Sequence, residues 1–227
     1  MSNPPDRPRP LSPVQKAGRL LRLLARPALA RKLGTLVTEG YLAETGWVRS
    51  VCSGTVVDAR GEALPWATFA FIDFITPRLQ AHWTVFEYGA GASTVFFGRR
   101  VATVTAVEHD ESFAARLRPG LGPNVHLLLR AAESAGYAGA VGECRVRPDI
   151  VCVDGVDRLR CIDAALPAMA VGAVLVLDDA ERSEYAPGIS RLRAAGFRVV
   201  EFWGLSPGWV ARKCTSVFYR DANILGL

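Results

Sequence analysis

The stretch VFEYGAGAST, residues 85–94, decides the fold of this chain. An apolar run typical of a buried strand ends at Glu87, and Gly89 and Gly91 follow it at once. A glycine turn between a strand and a helix lets a ligand approach the backbone N–H groups that begin the helix. Thr94 stands where the dinucleotide fingerprint has its third glycine, which disfavours a pyrophosphate. The turn therefore predicts a different, nucleotide-like ligand.

Beyond this turn, strand-like and helix-like segments alternate. The predicted strands are 84–88, 102–108, 125–129, 149–154 and 173–179, and the predicted helical stretches between them are 92–99, 111–118, 131–140 and 158–169. Near-continuous apolar runs are typical of strands that are buried on both faces of a parallel sheet. Their alternation with helices predicts a doubly wound α/β fold. A further helix is expected at 66–79, before the first strand.

The end of the chain follows a different pattern. The runs 197–204 and 214–220 are separated by a short connection that contains proline and glycine. A parallel crossover needs about a dozen residues or more, so an antiparallel hairpin is predicted. It completes a mostly parallel sheet of seven strands.

A carboxylate closes the second predicted strand. Glu108 follows Gly91 by 17 residues and precedes His109. An acid at the end of this strand can accept hydrogen bonds from both hydroxyls of a ribose. The alternative is a solvated loop acid beside a helix cap, for which Asp110 is the better candidate.

Three more carboxylates close the fourth and fifth strands: Asp154, Asp178 and Asp179. Acids delivered together to one sheet edge are unfavourable unless a cation, a sulfonium or arginines accompany them. Arg158 and Arg182 lie just beyond these strands and provide the alternative of internal ion pairs that fix the loops.

The motifs EYGAGAST, VEHD, DIVCVDG and VLVLDDAER, in this order, resemble those of class I S-adenosylmethionine-dependent methyltransferases. The resemblance covers about residues 65–227, and it implies a Rossmann-like methyltransferase fold. The segments GW (46–47), LPW (64–66) and SVFYRDANILGL (216–227) resemble, more narrowly, a poorly characterised group of bacterial methyltransferase-like proteins. The cofactor-binding positions that the resemblance implies are Glu87, Tyr88, Gly89, Ala90, Gly91, Ser93, Thr94, Glu108, His109 and Asp154.

Within that family, enzymes similar to catechol O-methyltransferase bind Mg²⁺ through acids at the ends of the fourth and fifth strands. The matching residues are Asp154, Asp178 and Asp179, and carboxylate oxygens suit this ion. Asp157 stands where those enzymes carry a catalytic lysine, so a lysine base is not implied at that position. Many relatives also place an acid near the adenine after the third strand, where this chain has Arg130 and, further on, Glu133.

The expected reaction is O-methylation of a small polar acceptor, such as a sugar or glycan. Asp154 and Asp178 would lie beside the reacting oxygen as metal ligands or as the base. Four tryptophans could line the acceptor side or could simply pack there: Trp47, Trp66, Trp203 and Trp209. Two alternatives stay open. One is a catalytically degenerate methyltransferase fold that serves as a binding or scaffold module at a membrane surface, and the other is a nucleotide-dependent oxidoreductase.

The charge of the chain is concentrated at its beginning. The 227 residues carry a net charge of +5, but residues 1–34 hold eight basic residues and one acid, so the remainder sums to −2. A near-neutral domain argues against nucleic-acid binding. The five cysteines form no CxxC pair and are expected to be free thiols of a cytoplasmic protein.

Residues 1–34 form a basic leader, which is predicted to be disordered over the proline-rich residues 1–13 and helical from 13 to 33. Four leucines lie opposite a basic side of this helix: Leu20, Leu21, Leu23 and Leu24. Such a helix can lie on an anionic membrane or dock on the domain that follows. Arginines interrupt any signal-peptide core, and no apolar run is long enough to span a membrane. Residues 35–64 are expected to form a cap on the substrate side of the domain 65–227.

Overall fold

The computed structural model describes residues 11–132 and 134–227. The expectations for residues 1–10 and for Glu133 lie outside the described residues. Seven strands form one sheet: β1 (Thr84–Tyr88), β2 (Thr103–Glu108), β3 (Val125–Leu129), β4 (Ile150–Val153), β5 (Val174–Leu177), β6 (Arg198–Gly204) and β7 (Lys213–Tyr219). Their order is β3-β2-β1-β4-β5-β7-β6. The first five are parallel, and β7 runs antiparallel to both β5 and β6.

Ten α-helices accompany the sheet in the described residues. They are α1 (Pro13–Leu24), α2 (Pro27–Thr38), α3 (Tyr41–Glu44), α4 (Trp47–Ser53), α5 (Phe69–Ile75), α6 (Ala92–Gly98), α7 (Glu111–Leu117), α8 (Ala135–Gly139), α9 (Arg158–Ala168) and α10 (Ala186–Ala194). Helices α8, α9 and α10 bury side chains in a core on one face of the sheet, and α5 and α6 do so on the other. This is the doubly wound seven-stranded fold that the sequence predicts. None of the helices in the described part of the chain is long and apolar enough to cross a membrane.

Several local predictions need correction. The single helix expected over residues 13–33 is two helices, because Pro27 has no N–H to continue the first and instead begins the second. The helix expected at 66–79 begins only after Thr68, whose hydroxyl caps the N–H of Phe71. Strand β3 lies at the sheet edge and is only partly buried, with His126 exposed. Helix α10, between β5 and β6, was not predicted.

From β1 the chain moves outward through β2 to β3. It then returns to the other side of β1, where β4 and β5 continue in the opposite direction, so the strand order reverses beside β1. Ligands of open α/β sheets bind at the carboxyl ends of the strands beside such a reversal. The glycine turn after β1 and the acids that follow β4 and β5 all lie at this edge, so the topology brings the predicted site residues together.

Candidate functional site

The turn after β1 is tightly packed on one side and open on the other. Gly89 has a φ of +88°, and a Cβ at this position would lie 2.9 Å from the Cα of Gly155, in the loop after β4. Gly91 has an extended backbone, and a Cβ at this position would meet no atom within 4 Å. Gly89 therefore serves the packing of two loops, whereas Gly91 leaves free space at the start of α6.

Glu87 is the most unusual group of this turn. The residue is 1% exposed, and its Oε2 atom has no hydrogen-bond partner in the described part of the chain. Burial raises the pKa of Glu87 to about 7, although the hydroxyls of Thr94 and Ser93 oppose this shift by hydrogen bonding. A buried carboxylate oxygen without a donor is unfavourable by itself and suits a cationic or hydrogen-bonding ligand.

The other residues of the turn have structural partners. Tyr88 is fully buried, and its hydroxyl donates to the carbonyl of Ala138 at 2.6 Å. Thr94 is buried as well and accepts the N–H of Gly91 at 3.0 Å through its Oγ1. Only the backbone of Tyr88 can therefore face a ligand, and Thr94 shapes the turn from below.

Glu108 is buried at the end of β2, so the alternative of a solvated loop acid does not apply. Its Oε1 accepts the N–H groups of His109 at 2.8 Å and Asp110 at 2.9 Å, and His109 Nδ1 lies 2.9 Å from the same oxygen. Among the described residues, its Oε2 accepts a single hydrogen bond, from the N–H of Ala90 at 3.2 Å. One oxygen thus holds the loop together, and the other has capacity for a further donor. Asp110 caps α7 by accepting the N–H of Phe113.

A narrow cleft lies between the ends of β1, β4 and β5 and the segment before α5. Glu87, Ser93, Asp154 and Asp178 line it together with Trp66. The cleft is small, about 30 Å³, whereas a groove of about 220 Å³ lies elsewhere, beside β3. We place the candidate site in the smaller cavity, because the buried acids Glu87 and Asp178 meet there with the more exposed Asp154.

Asp154 is the acid of this cleft that solvent reaches best. Its side chain is 42% exposed and pairs with the Arg158 guanidinium at 2.9 Å through Oδ1. Partial removal from water and the neighbouring Asp178 carboxylate raise the pKa of Asp154 above its ordinary value, although Arg158 and Lys213 oppose this shift. Asp178, by contrast, is 5% exposed and has partners on both side-chain oxygens.

Those partners come from β7. The Thr215 hydroxyl donates to Asp178 Oδ1 at 2.7 Å, and the Lys213 ammonium donates to Asp178 Oδ2. Lys213 Nζ also lies 2.9 Å from Asp179 Oδ1 and 3.1 Å from the Trp66 carbonyl oxygen. Burial alone would lower the pKa of Lys213, but the two carboxylates raise it above its ordinary value. Lys213 is thus a buried, charged ammonium.

The cluster balances its own charges. Arg158 and Arg182 approach Asp179 Oδ2, the former at 3.8 Å. Burial alone would raise the pKa of Asp179, but these cations and Lys213 hold it below its ordinary value. Three carboxylates are therefore accompanied by three cations of the chain. The alternative of internal ion pairs through Arg158 and Arg182 is confirmed.

This arrangement corrects the magnesium expectation for Asp154, Asp178 and Asp179. A divalent ion needs carboxylate oxygens that face one open position. Here the Lys213 ammonium occupies the space between Asp178 and Asp179. No group of three or more His, Cys, Asp or Glu residues that could hold a metal occurs among residues 11–132 and 134–227. The residues do not fit the ion, and no step is assigned to it.

Lys213 is the main site residue that sequence reasoning missed. It is one of only three lysines in the chain and directly precedes the strand expected at 214–220. An isolated lysine at the start of a buried strand is a recognisable signal, because its charge requires a buried partner.

Of the four tryptophans considered for the acceptor side, Trp66 lines the cleft, and Trp209 and Trp47 adjoin it in turn. Trp47 Nε1 donates to the Trp209 carbonyl at 2.9 Å, and the rings of Trp66 and Trp209 meet edge to face at 6.4 Å. Trp66 is 50% exposed and Trp209 46%. Trp203 lies apart on β6, where it donates to Glu201 and stacks with Arg212. The five cysteines are free thiols, as expected.

No protein-family model matches the chain, and no curated protein is significantly similar to it in sequence. Solved structures share its architecture. Precorrin 8W decarboxylase from Methanobacterium thermoautotrophicum aligns with a TM-score of 0.51 and 18% identity, over 75% of this chain and 98% of that one. The C-terminal domain of precorrin-6Y C5,15-methyltransferase from Rhodobacter capsulatus aligns with a TM-score of 0.50 and 14% identity, over 66% and 86%. Together with the strand order and the antiparallel β7, these similarities show that the chain has the fold of the class I methyltransferases.

Proposed function

We propose that this protein is an S-adenosylmethionine-dependent methyltransferase that acts on a hydroxyl group of a small polar acceptor. The observation that carries the proposal is the buried Oε2 of Glu87, which has no partner in the described chain and lies at the glycine turn. S-adenosylmethionine offers an ammonium group for such an oxygen and ribose hydroxyls for Glu108 Oε2. The free space above Gly91 supports a ligand in this position.

When bound, the cofactor supplies an electrophilic methyl group on a positively charged sulfur. The protein then needs to hold the acceptor in line and remove its hydroxyl proton. Asp154 is the best candidate for the base, because its Oδ1 is paired with Arg158, whereas Oδ2 has no hydrogen bond or ion pair among residues 11–132 and 134–227. A raised pKa favours such a role near neutral pH. Asp178, with both oxygens occupied, is proposed as a positioning residue rather than as the base.

The exposed rings of Trp66 and Trp209 are proposed to form the apolar edge of the acceptor site. They are suited to a flat or ring-shaped acceptor, but the comparisons give no support to a sugar in particular. Free thiols at all five cysteines support a cytoplasmic location.

Isothermal titration with S-adenosylmethionine tests the cofactor assignment. We expect the wild-type protein to bind, and Glu87→Gln to bind about tenfold more weakly or worse, because a charged hydrogen bond is lost. Glu111→Gln, at an exposed glutamate of α7, is the matched control and should bind like the wild type. Absence of binding to the wild type would refute the proposal, and binding of NADH in its place would favour the oxidoreductase alternative.

Transfer of a labelled methyl group to a panel of hydroxylated acceptors then tests the reaction. Cofactor binding without transfer to any acceptor would favour a degenerate binding module. Transfer that Asp154→Asn abolishes without weakening cofactor binding would support Asp154 as the base.

A further inference from the structure

The helices α1 and α2 form an arm that precedes the domain. Helix α1 packs mainly on α2, and α2 packs mainly on α3. No residue of α2 is buried, and the described side chains of α1 are exposed or at most partly covered. Leu20 and Leu21, two of the leucines considered for docking on the domain, are therefore exposed.

The arm exposes large apolar side chains along both helices. On α1, Val14 is 81% exposed, Leu20 59% and Leu21 67%. On α2, three further residues recur every four positions and are each about two-fifths exposed: Leu29, Leu33 and Val37. Isolated exposed apolar residues need no explanation, but stripes on consecutive helices indicate a binding surface.

The same arm is strongly basic. Residues 11–38 contain six basic residues and no acid. All six are exposed: Lys16, Arg19, Arg22, Arg26, Arg31 and Lys32. On a helical wheel, Lys16, Arg19 and Arg22 lie opposite the apolar face formed by Val14, Leu20 and Leu21. The helix is thus divided into an apolar side and a cationic side.

From this pattern we propose that the α1–α2 arm binds the surface of an anionic membrane. An amphipathic helix lies in the plane of the membrane interface, with its apolar side in the acyl boundary and its basic residues at the headgroups. Phosphatidylserine-type headgroups complement the six positive charges. A second copy of the arm would instead bring two sets of six positive charges together, which disfavours self-association. Anionic lipid satisfies both sides of the helix at once.

Co-sedimentation of the full chain with lipid vesicles tests this inference independently of cofactor binding. We expect the protein to pellet with vesicles that contain phosphatidylserine and to remain in solution with vesicles of phosphatidylcholine alone. High salt should weaken the binding, because it screens the headgroup charge. Absence of binding to anionic vesicles, or equal binding to both kinds, would overturn the proposal. Capture of an acidic polypeptide without any vesicle binding would also overturn it.

Two double variants separate the apolar contribution from the electrostatic one. Each of them should reduce the bound fraction at limiting lipid about tenfold or more. The first combines Leu20→Ser with Leu21→Ser, and the second combines Arg19→Gln with Arg22→Gln. The matched control is Arg118→Gln with Arg145→Gln, two exposed arginines of the domain. Equal loss with the control pair would show that the arm has no special role. Circular dichroism of each variant verifies that the domain stays folded.

Discussion

The buried carboxyl of Glu87 lowers the stability of the folded chain when it is ionised. Its carboxyl has an ordinary pKa of 4.5 and, in the folded chain, one of about 7. Between these values the unfolded chain releases the proton before the folded chain does, so the folded state loses stability as the pH rises. The loss is complete above about pH 7 and amounts to about 3 kcal/mol. A cationic ligand would recover part of it.

We therefore expect Glu87→Gln to be more stable than the wild type at pH 8, by up to about 3 kcal/mol, and to differ little at pH 4.5. Urea unfolding, followed by tryptophan fluorescence at the two pH values, measures the difference. The exposed Glu111→Gln is the control. A gain of the same size at both pH values would show that the effect is not due to ionisation of Glu87.

Lys213 stabilises the folded chain, whereas ionised Glu87 destabilises it. Removal of Lys213 leaves Asp178 and Asp179 without the cation that they share. Breaking a buried ion pair on one side costs about 3–5 kcal/mol. We expect Lys213→Met to lose stability in this range at pH 8, and less at pH 5, where a proton can neutralise Asp178, whose pKa burial raises. Thermal unfolding over this pH range provides the measurement.

Lys32→Met, at an exposed lysine of α2, is the matched control for this change. The double variant Lys213→Met with Asp178→Asn should regain part of the loss, because one buried charge is removed together with its partner. A Lys213→Met protein as stable as the wild type would contradict the charge balance of the cluster.

At the scale of elements, a chain of hydrogen bonds joins α5, β7 and β5. The backbone N–H of Thr68 donates to Thr215 Oγ1 at 3.0 Å, and Thr215 Oγ1 donates to Asp178 Oδ1. The Thr68 hydroxyl donates to the Phe202 carbonyl on β6 at 3.1 Å. All three elements are thereby fixed next to the cleft.

Thr215→Val keeps the shape of this side chain but removes both of its hydrogen bonds. We expect a loss of about 1–3 kcal/mol, because the N–H of Thr68 and one oxygen of Asp178 are left buried without that partner. Urea unfolding measures the loss, and Thr215→Ser, which keeps the hydroxyl, should retain most of the stability. A smaller loss for valine than for serine would contradict the assigned role of the hydroxyl.

Elements with strong apolar patterns could be predicted from the sequence. Strands β1 and β3 have the predicted bounds, and β2 differs by one residue. The predictions that needed correction concern segments in which the apolar pattern does not determine where a helix begins or ends. In the leader, apolar periodicity continues through Pro27, and the helix is divided there because proline lacks an N–H and its ring clashes with the preceding turn.

At the scale of the whole molecule, the sequence located the acids and their arginine partners, but not Lys213. The ends of β1, β2, β4 and β5 are defined by strand patterns, and a parallel sheet brings them to one edge. Lys213 reaches this edge from β7, which enters the sheet in the opposite direction. Lys213 and Asp178 are 35 residues apart in the chain, and the antiparallel pairing of β7 with β5 brings them together. A local sequence pattern does not predict this pairing.

The position of Lys213 in β7 also determines when the cluster can form. Asp178 and Asp179 are synthesised earlier than Lys213, so a growing chain holds both carboxylates before the ammonium that they share. Docking of β7 beside β5 completes the sheet and supplies that ammonium in one event. Because this cation is a side chain of the protein, the position between Asp178 and Asp179 does not depend on the binding or release of a metal ion. The cleft therefore reaches its final form only when β7 has paired with β5.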